Sequence, residues 1–84
     1  MAYRVGGQAV MSFSLEKGGY VVVRVFDLLG RLVRTFAEDH PSGTYGVMWD
    51  GRLNNGRRAP RGTYFYRMTL PNGKETVRKT EILH

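Results

Sequence analysis

Apolar and polar residues alternate with a period of two along most of the chain, as in β-strands that bury one face. Six segments follow this pattern: residues 9–15, 20–28, 31–36, 44–49, 63–70 and 74–83. No segment keeps the 3.6-residue period of an amphipathic helix. Short strands separated by turn residues are typical of sandwiches and barrels. The pattern therefore predicts an all-β fold of six to seven antiparallel strands.

The alternation also predicts which side chains form the core. In the segment 20–28, Val21, Val23 and Val25 fall on the buried face and Arg24 on the exposed face. In the later strands Tyr45, Val47 and Trp49 fall on one face, and Tyr64, Tyr66 and Met68 alternate with Phe65 and Arg67. Trp49 is the only tryptophan, large enough to fill a thin core, and we expect its N–H to find a hydrogen-bond partner.

Eighty-four residues suffice for one small domain, and we assign all of 1–84 to it, with 1–7 as a flexible lead-in. The chain has no cysteine, which excludes disulfides and cysteine-based zinc sites. The uninterrupted apolar run 20–23 is too short to cross a bilayer, so we expect no membrane insertion. No signal peptide follows Met1, and we expect any export signal to lie upstream.

Residues suited to catalysis are present but not arranged for it. His40 lies in a predicted turn and His84 ends the chain, so neither is placed beside a serine as a Ser-His-Asp triad requires. The acidic residues fall in turns or near strand ends, as on solvated surfaces, and not in pairs across a cleft. We therefore predict that the chain is not an enzyme and binds no cofactor.

The long loop over residues 50–61 holds two weaker candidates. Asp50, Asn54 and Asn55 carry oxygens that could ligate calcium, although asparagine and glycine also form turns here and the neighbouring arginines repel a dication. Four arginines form the densest basic group of a chain whose net charge is +6: Arg52, Arg57, Arg58 and Arg61. They make this loop a candidate anion-binding patch, with a solvated basic face as the simpler interpretation.

Aromatic residues near arginines are a further candidate surface. If Phe26 and Phe65 lie together on an outer face, they form an apolar patch on which a neighbouring domain can dock. Stacking of sugars or bases on such rings is the alternative interpretation.

A series of short motifs covers the chain almost end to end. It comprises FSL at 13–15, VFDLLGR at 25–31, GTY at 43–45, WDG at 49–51, RGTYFYR at 61–67 and VRKTEIL at 77–83. In order and spacing this series resembles the immunoglobulin-like domain of flagellar hook-capping (FlgD-like) proteins. It is equally similar to C-terminal domains of secreted bacterial proteins, including type IX secretion sorting domains. At Thr80 the chain departs from the bulky apolar residue that is frequent in the family, which predicts a weaker last strand.

The resemblance implies a seven-stranded immunoglobulin-like β-sandwich attached to another domain. The motif residues have structural tasks in turns, strand entries and the core: Asp27, Gly30, Gly43, Trp49, Asp50, Gly51, Gly62, Tyr64 and Tyr66. From this we expect a secreted or surface-exposed, non-catalytic C-terminal accessory domain. Its role would be sorting, surface attachment or stabilisation of the preceding domain. Its partners would be that domain, a secretion or assembly component, or a further copy of the chain. Two alternatives stay open: a hook-capping domain in hook assembly, and a basic binder of anions or nucleic acid.

Overall fold

The structure, a computed structural model, describes residues 3–5 and 8–83 and consists of strands joined by turns and loops. In chain order the strands are β1 (Tyr3–Val5), β2 (Gln8–Leu15), β3 (Gly19–Asp27), β4 (Leu32–His40), β5 (Gly43–Trp49), β6 (Gly62–Thr69) and β7 (Glu75–Ile82). Every strand pair is antiparallel. One sheet has the order β1-β2-β5 and the other the order β4-β3-β6-β7. The predicted all-β sandwich is confirmed.

The core lies between the two sheets and is formed by alternate residues of each strand. The three-stranded sheet contributes Met11, Phe13, Leu15, Val47 and Trp49, and the four-stranded sheet contributes Val21, Val23, Val25, Tyr64, Tyr66, Met68 and Ile82. Val21, Val23 and Val25 are at most 2% exposed, as their alternation predicted. Thr80 is also buried, within a strand that pairs with β6 along its whole length.

Strand β4 is longer than its sequence predicts, since polar residues after Phe36 were expected to end it. In the structure β4 continues to His40, with Glu38, Asp39 and His40 opposite residues 21, 20 and 19 of β3. β4 is the outer strand of its sheet and most of its side chains are exposed or half-buried. Backbone pairing sets the length of such a strand, because exposed positions accept polar side chains at little cost.

Within the lead-in expected over residues 1–7, the structure describes one short strand. Tyr3–Val5 form β1, which pairs with Gln8–Val10 of β2. Three residues are too few to show an alternation, so the sequence gives no signal for this strand. The remainder of the predicted lead-in, residues 1–2 and 6–7, lies outside the described residues.

The same pentapeptide, Pro-x-Gly-Thr-Tyr, leads into two strands, at residues 41–45 and 60–64. In both copies the tyrosine hydroxyl donates a hydrogen bond to the carbonyl of the proline four residues earlier, at 2.8 Å for Tyr45 and 2.7 Å for Tyr64. In both copies the glycine has a positive φ, +145° at Gly43 and +155° at Gly62. This arrangement resembles the tyrosine corner of immunoglobulin domains and fixes where each strand begins.

Candidate functional site

The turn between β3 and β4 is held by the Asp27 side chain. Its Oδ1 accepts hydrogen bonds from the backbone amides of Leu29 and Arg31, and its Oδ2 accepts one from Arg31 Nε at 2.7 Å. Gly30 closes the turn at φ +84° and donates its amide to the Asp27 carbonyl. The hydrogen bond from the Arg31 amide, together with the Arg31 guanidinium, keeps the pKa of Asp27 below its ordinary value of 3.8, against an opposing effect of desolvation.

Two leucines occupy the tip of this turn and point away from the core. Leu28 is 68% exposed and Leu29 is 78% exposed. They border a shallow cleft of about 420 Å³ whose other walls include Leu53, Pro60 and Arg61. The motif residues Asp27 and Gly30 predict a turn, but the exposure of its leucines has no sequence signal, because the alternation that predicts burial stops where the strand stops.

The corner after β5 joins Trp49 to the long loop. Trp49 is buried and its Nε1–H donates to the Arg52 carbonyl at 2.9 Å, which is the partner that the sequence predicted. The Arg34 guanidinium of β4 donates to the same carbonyl at 3.1 Å and to Asp50 Oδ1 at 3.3 Å. Gly51 is buried at φ +77°, a conformation that favours glycine. The WDG motif thus anchors the loop to both sheets.

Tyr64 and Tyr66 are buried residues of β6 with different surroundings. The Tyr64 ring meets the Trp49 indole edge-to-face, with centroids 5.4 Å apart. Burial raises the pKa of the Tyr64 phenol, and the negative charge of Asp27 raises it further. Burial also raises the pKa of Tyr66, with the Arg78 charge acting in the opposite direction. The Tyr66 hydroxyl is buried and finds no hydrogen-bond partner among the described residues.

The three calcium candidates use their side-chain oxygens within the protein. Asp50 Oδ1 accepts from the Arg52 amide, Asn54 Oδ1 from the Thr35 amide and Asn55 Oδ1 from the Arg57 amide, at 2.9–3.0 Å. Each of these oxygens therefore already accepts from a backbone amide, and calcium binding here stays a prediction. Over residues 3–5 and 8–83 it contains no cluster of three or more histidine, cysteine or acidic side chains.

The four arginines of the basic group are all on the surface of the long loop. The Arg52 guanidinium donates to the Gly56 carbonyl, and Arg52 and Arg58 form an isolated β-bridge. Within the described part of the chain, Arg57, Arg58 and Arg61 are exposed and form no salt bridge. The loop therefore presents unneutralised positive charge on a hydrogen-bonded frame.

Phe26 and Phe65 are direct cross-strand neighbours on the outer face of the four-stranded sheet. Both are half-buried, and the Arg67 guanidinium lies over the Phe26 ring, 5.4 Å from its centroid. Lys79 is the partner of Phe65 on the β7 side. The two phenylalanines thus share the outer face, with the cations of Arg67 and Lys79 beside them, and docking of another domain there stays a prediction.

The residues considered for catalysis have structural contacts. His40 Nε2 lies 3.0 Å from Glu38 Oε2, and the His40 ring packs on Tyr45 with centroids 4.3 Å apart. The Ser14 hydroxyl is hydrogen-bonded to the Thr44 hydroxyl across the β2–β5 pair. His84 lies outside the described residues. The described part of the chain includes no helix with the length and apolarity that a membrane-spanning helix needs.

Comparison with known proteins agrees with the fold and the motif series. The structure of FlgD from P. aeruginosa is similar at a TM-score of 0.60 and 26% identity, over 89% of this chain and 59% of that one. FlgD from Xanthomonas campestris acts in the hook capping that is essential for flagellar assembly. Its structure aligns at a TM-score of 0.64 and 24% identity, over 96% of this chain and 61% of that one. This chain therefore spans about three fifths of those FlgD chains.

No curated protein matches the chain. Residues 2–74 match the family of FlgD Ig-like domains, which is most of the sequence. On this evidence, the chain belongs to the FlgD Ig-like domain family.

Proposed function

We propose that the chain is a non-catalytic structural domain that works in flagellar hook capping. The observation that carries this proposal is the match to the FlgD Ig-like family over residues 2–74, together with the fold shared with two FlgD structures. These findings support hook capping better than the sorting or secretion role that the sequence first suggested. A hook-capping role also implies export from the cell, as a component of the flagellum.

The side chains of the family pattern support a structural role. Asp27 holds a turn, Trp49 and Tyr64 hold the two sheets together, and Asp50 holds the long loop. Asp27, Trp49 and Tyr64 each direct their side-chain polar groups to partners within the domain, and so does Asp50 through its Oδ1. Function then depends on the surfaces that this frame presents to other proteins.

An in-frame deletion of residues 8–83 from the natural parent protein tests the proposal. We expect cells to lose hooks and to release unpolymerised hook subunits into the medium, as measured by electron microscopy and immunoblotting. As a matched control, Val77→Ser changes an exposed side chain of β7 and should leave hooks intact. Normal hooks in the deletion strain would refute the proposal. If the deletion instead keeps the parent protein inside the cell, and cells that do export it build normal hooks, a sorting role is favoured.

Polyanion binding is a second candidate, favoured by the unneutralised charge of Arg57, Arg58 and Arg61. Binding of this kind weakens steeply as salt rises, because it depends on counterion release. We expect the triple substitution of these arginines by serine to abolish retention on a heparin column at low salt. Equal retention of the triple variant and the unchanged protein would exclude the loop as the binding site.

A further inference from the structure

The two sheets have four outer strands, and three of them are protected against pairing with another chain. β1 has only three residues. β4 is covered where the Asn54 amide donates to the Val33 carbonyl and the Asn54 side chain accepts from the Thr35 amide. β7 has charged side chains at four of its eight positions, and Arg78 Nη1 donates to the carbonyl of Val77. Shortness, covering and charge are the usual means by which proteins protect sheet edges.

β5 has none of these protections. Its sequence, GTYGVMW, contains no charged residue and no proline, and it pairs with β2 over all seven positions without a register shift. In the described part of the chain, no loop donates to or accepts from its backbone on the other side. Gly46, at the middle of the strand, is exposed. A row of backbone N–H and C=O groups is therefore open to a further strand.

The side chains beside this edge are small or uncharged. Thr44, Gly46 and Met48 form the outer face of β5, and Ser12 and Ser14 lie next to them on β2. Met48 is 55% exposed. An antiparallel strand with the same sequence would meet no like charge here, and charge is what discourages strands from pairing with copies of themselves.

We propose that two copies of the chain associate through their β5 edges, in an antiparallel pair that joins two three-stranded sheets into one of six strands. Antiparallel self-pairing gives a closed two-fold dimer, because each β5 presents the same edge to the other. The contact involves only seven residues a side, so it belongs to the small, transient class of interfaces.

The charge of the chain gives this association a characteristic salt dependence. Two copies at +6 each repel one another, while the β5 edge itself is neutral. Added salt screens that repulsion without weakening backbone hydrogen bonds between neutral strands. Association of two copies through β5 therefore strengthens as salt rises. Association that depends on attraction of the arginine loop to negative charge would weaken.

The test is sedimentation analysis of the chain between about 10 μM and 1 mM, the range expected of a small, weak interface. We expect a dimer whose fraction rises with concentration and with salt. Met48→Lys should raise the dimer dissociation constant at least about tenfold, because two ammonium groups then approach the same edge. Val77→Lys is the matched control, since Val77 is also 55% exposed but lies on β7. This variant should dimerise like the unchanged protein.

Amide hydrogen exchange locates the contact independently of the substitutions. Exchange of β5 amides should slow at high concentration, while that of β4 and β7 amides stays constant. A chain that remains monomeric throughout the range would overturn the proposal. A dimer that Met48→Lys leaves unchanged would also overturn the proposal, and so would one in which exchange slows in β4 or β7. In either case the contact would be the exposed leucines or the Phe26–Phe65 face.

Discussion

The two Pro-x-Gly-Thr-Tyr corners have the same sequence pattern and the same hydrogen bond, but they lie in different surroundings. Tyr64 is 5% exposed and its ring meets Trp49, which connects β6 of one sheet to β5 of the other. Tyr45 is half-buried and packs on His40 and Phe13 near the opposite end of β5. The Tyr45 hydroxyl also lies 3.4 Å from the carbonyl oxygen of Ser42, an exposed residue.

The comparison shows that a local motif defines a conformation but does not by itself define its contribution to stability. Water can replace a hydrogen bond at an exposed corner, and it cannot easily do so at a buried one. We therefore expect the domain to depend on the Tyr64 corner much more than on the Tyr45 corner.

The largest effect is expected from Trp49→Ala, which removes the ring that supports the Tyr64 corner. The substitution leaves a cavity between the sheets and removes one of the two donors to the Arg52 carbonyl. We expect the free energy of unfolding to fall by about 3–5 kcal/mol, as for other large aromatic residues in cores. Urea denaturation followed by circular dichroism measures it. Met48→Ala, next to it on the exposed face, should cost less than about 0.5 kcal/mol; comparable losses in the two variants would disagree with the assigned faces.

Substituting the glycines of the two corners should give the opposite order, with the larger loss of stability at the Tyr45 corner. Both have a positive φ, so Gly→Ala costs about 1 kcal/mol at either site through backbone strain. A Cβ at Gly43 would also lie 3.3 Å from the Tyr45 hydroxyl, whereas nothing lies within 4 Å of a Cβ at Gly62. We expect Gly43→Ala to lower the thermal midpoint more than Gly62→Ala. Equal shifts would mean that the Tyr45 side chain moves aside freely.

A smaller effect concerns Asp27, whose charge lies beside the Tyr64 corner. Its folded-state pKa is lower than its ordinary value of 3.8, so the stability it contributes is present above that value and is lost as pH falls through the lower folded pKa. We expect the thermal midpoint of the unchanged protein to decline below about pH 4. In Asp27→Asn the decline should be shallower, and a variant with the same acid profile would contradict the assigned role of the carboxylate.

Much of the fold could be predicted from the sequence, because a sandwich strand buries every second residue and so leaves a visible alternation. β3 and β6 are the clearest examples, with valines or large residues at every buried position. The end of β4 could not be predicted in this way, because its pairing with β3 depends on backbone groups while its exposed side chains are polar. β1 is too short to carry a pattern.

The candidate surfaces were harder to predict than the fold. The repeated pentapeptide is visible in the sequence and could have indicated the two corners, but its hydrogen bonds follow only from the paths of the strands. Nothing in the alternation reveals that Leu28 and Leu29 are exposed, since Asp27 and Gly30 determine the turn without constraining the residues between them. The unprotected edge of β5 depends on strand order, which alternation does not encode.

The most direct test of the comparison is urea denaturation of Tyr64→Phe and Tyr45→Phe, each of which removes one hydroxyl and keeps the ring. We predict that Tyr64→Phe lowers the free energy of unfolding by about 1–2 kcal/mol, because the hydrogen bond to the Pro60 carbonyl is part-buried. Tyr45→Phe should lower it by less than about 0.5 kcal/mol, because water can reach the Pro41 carbonyl. Equal losses, or a larger loss for Tyr45→Phe, would contradict the account that burial and not the motif sets the stability of each corner.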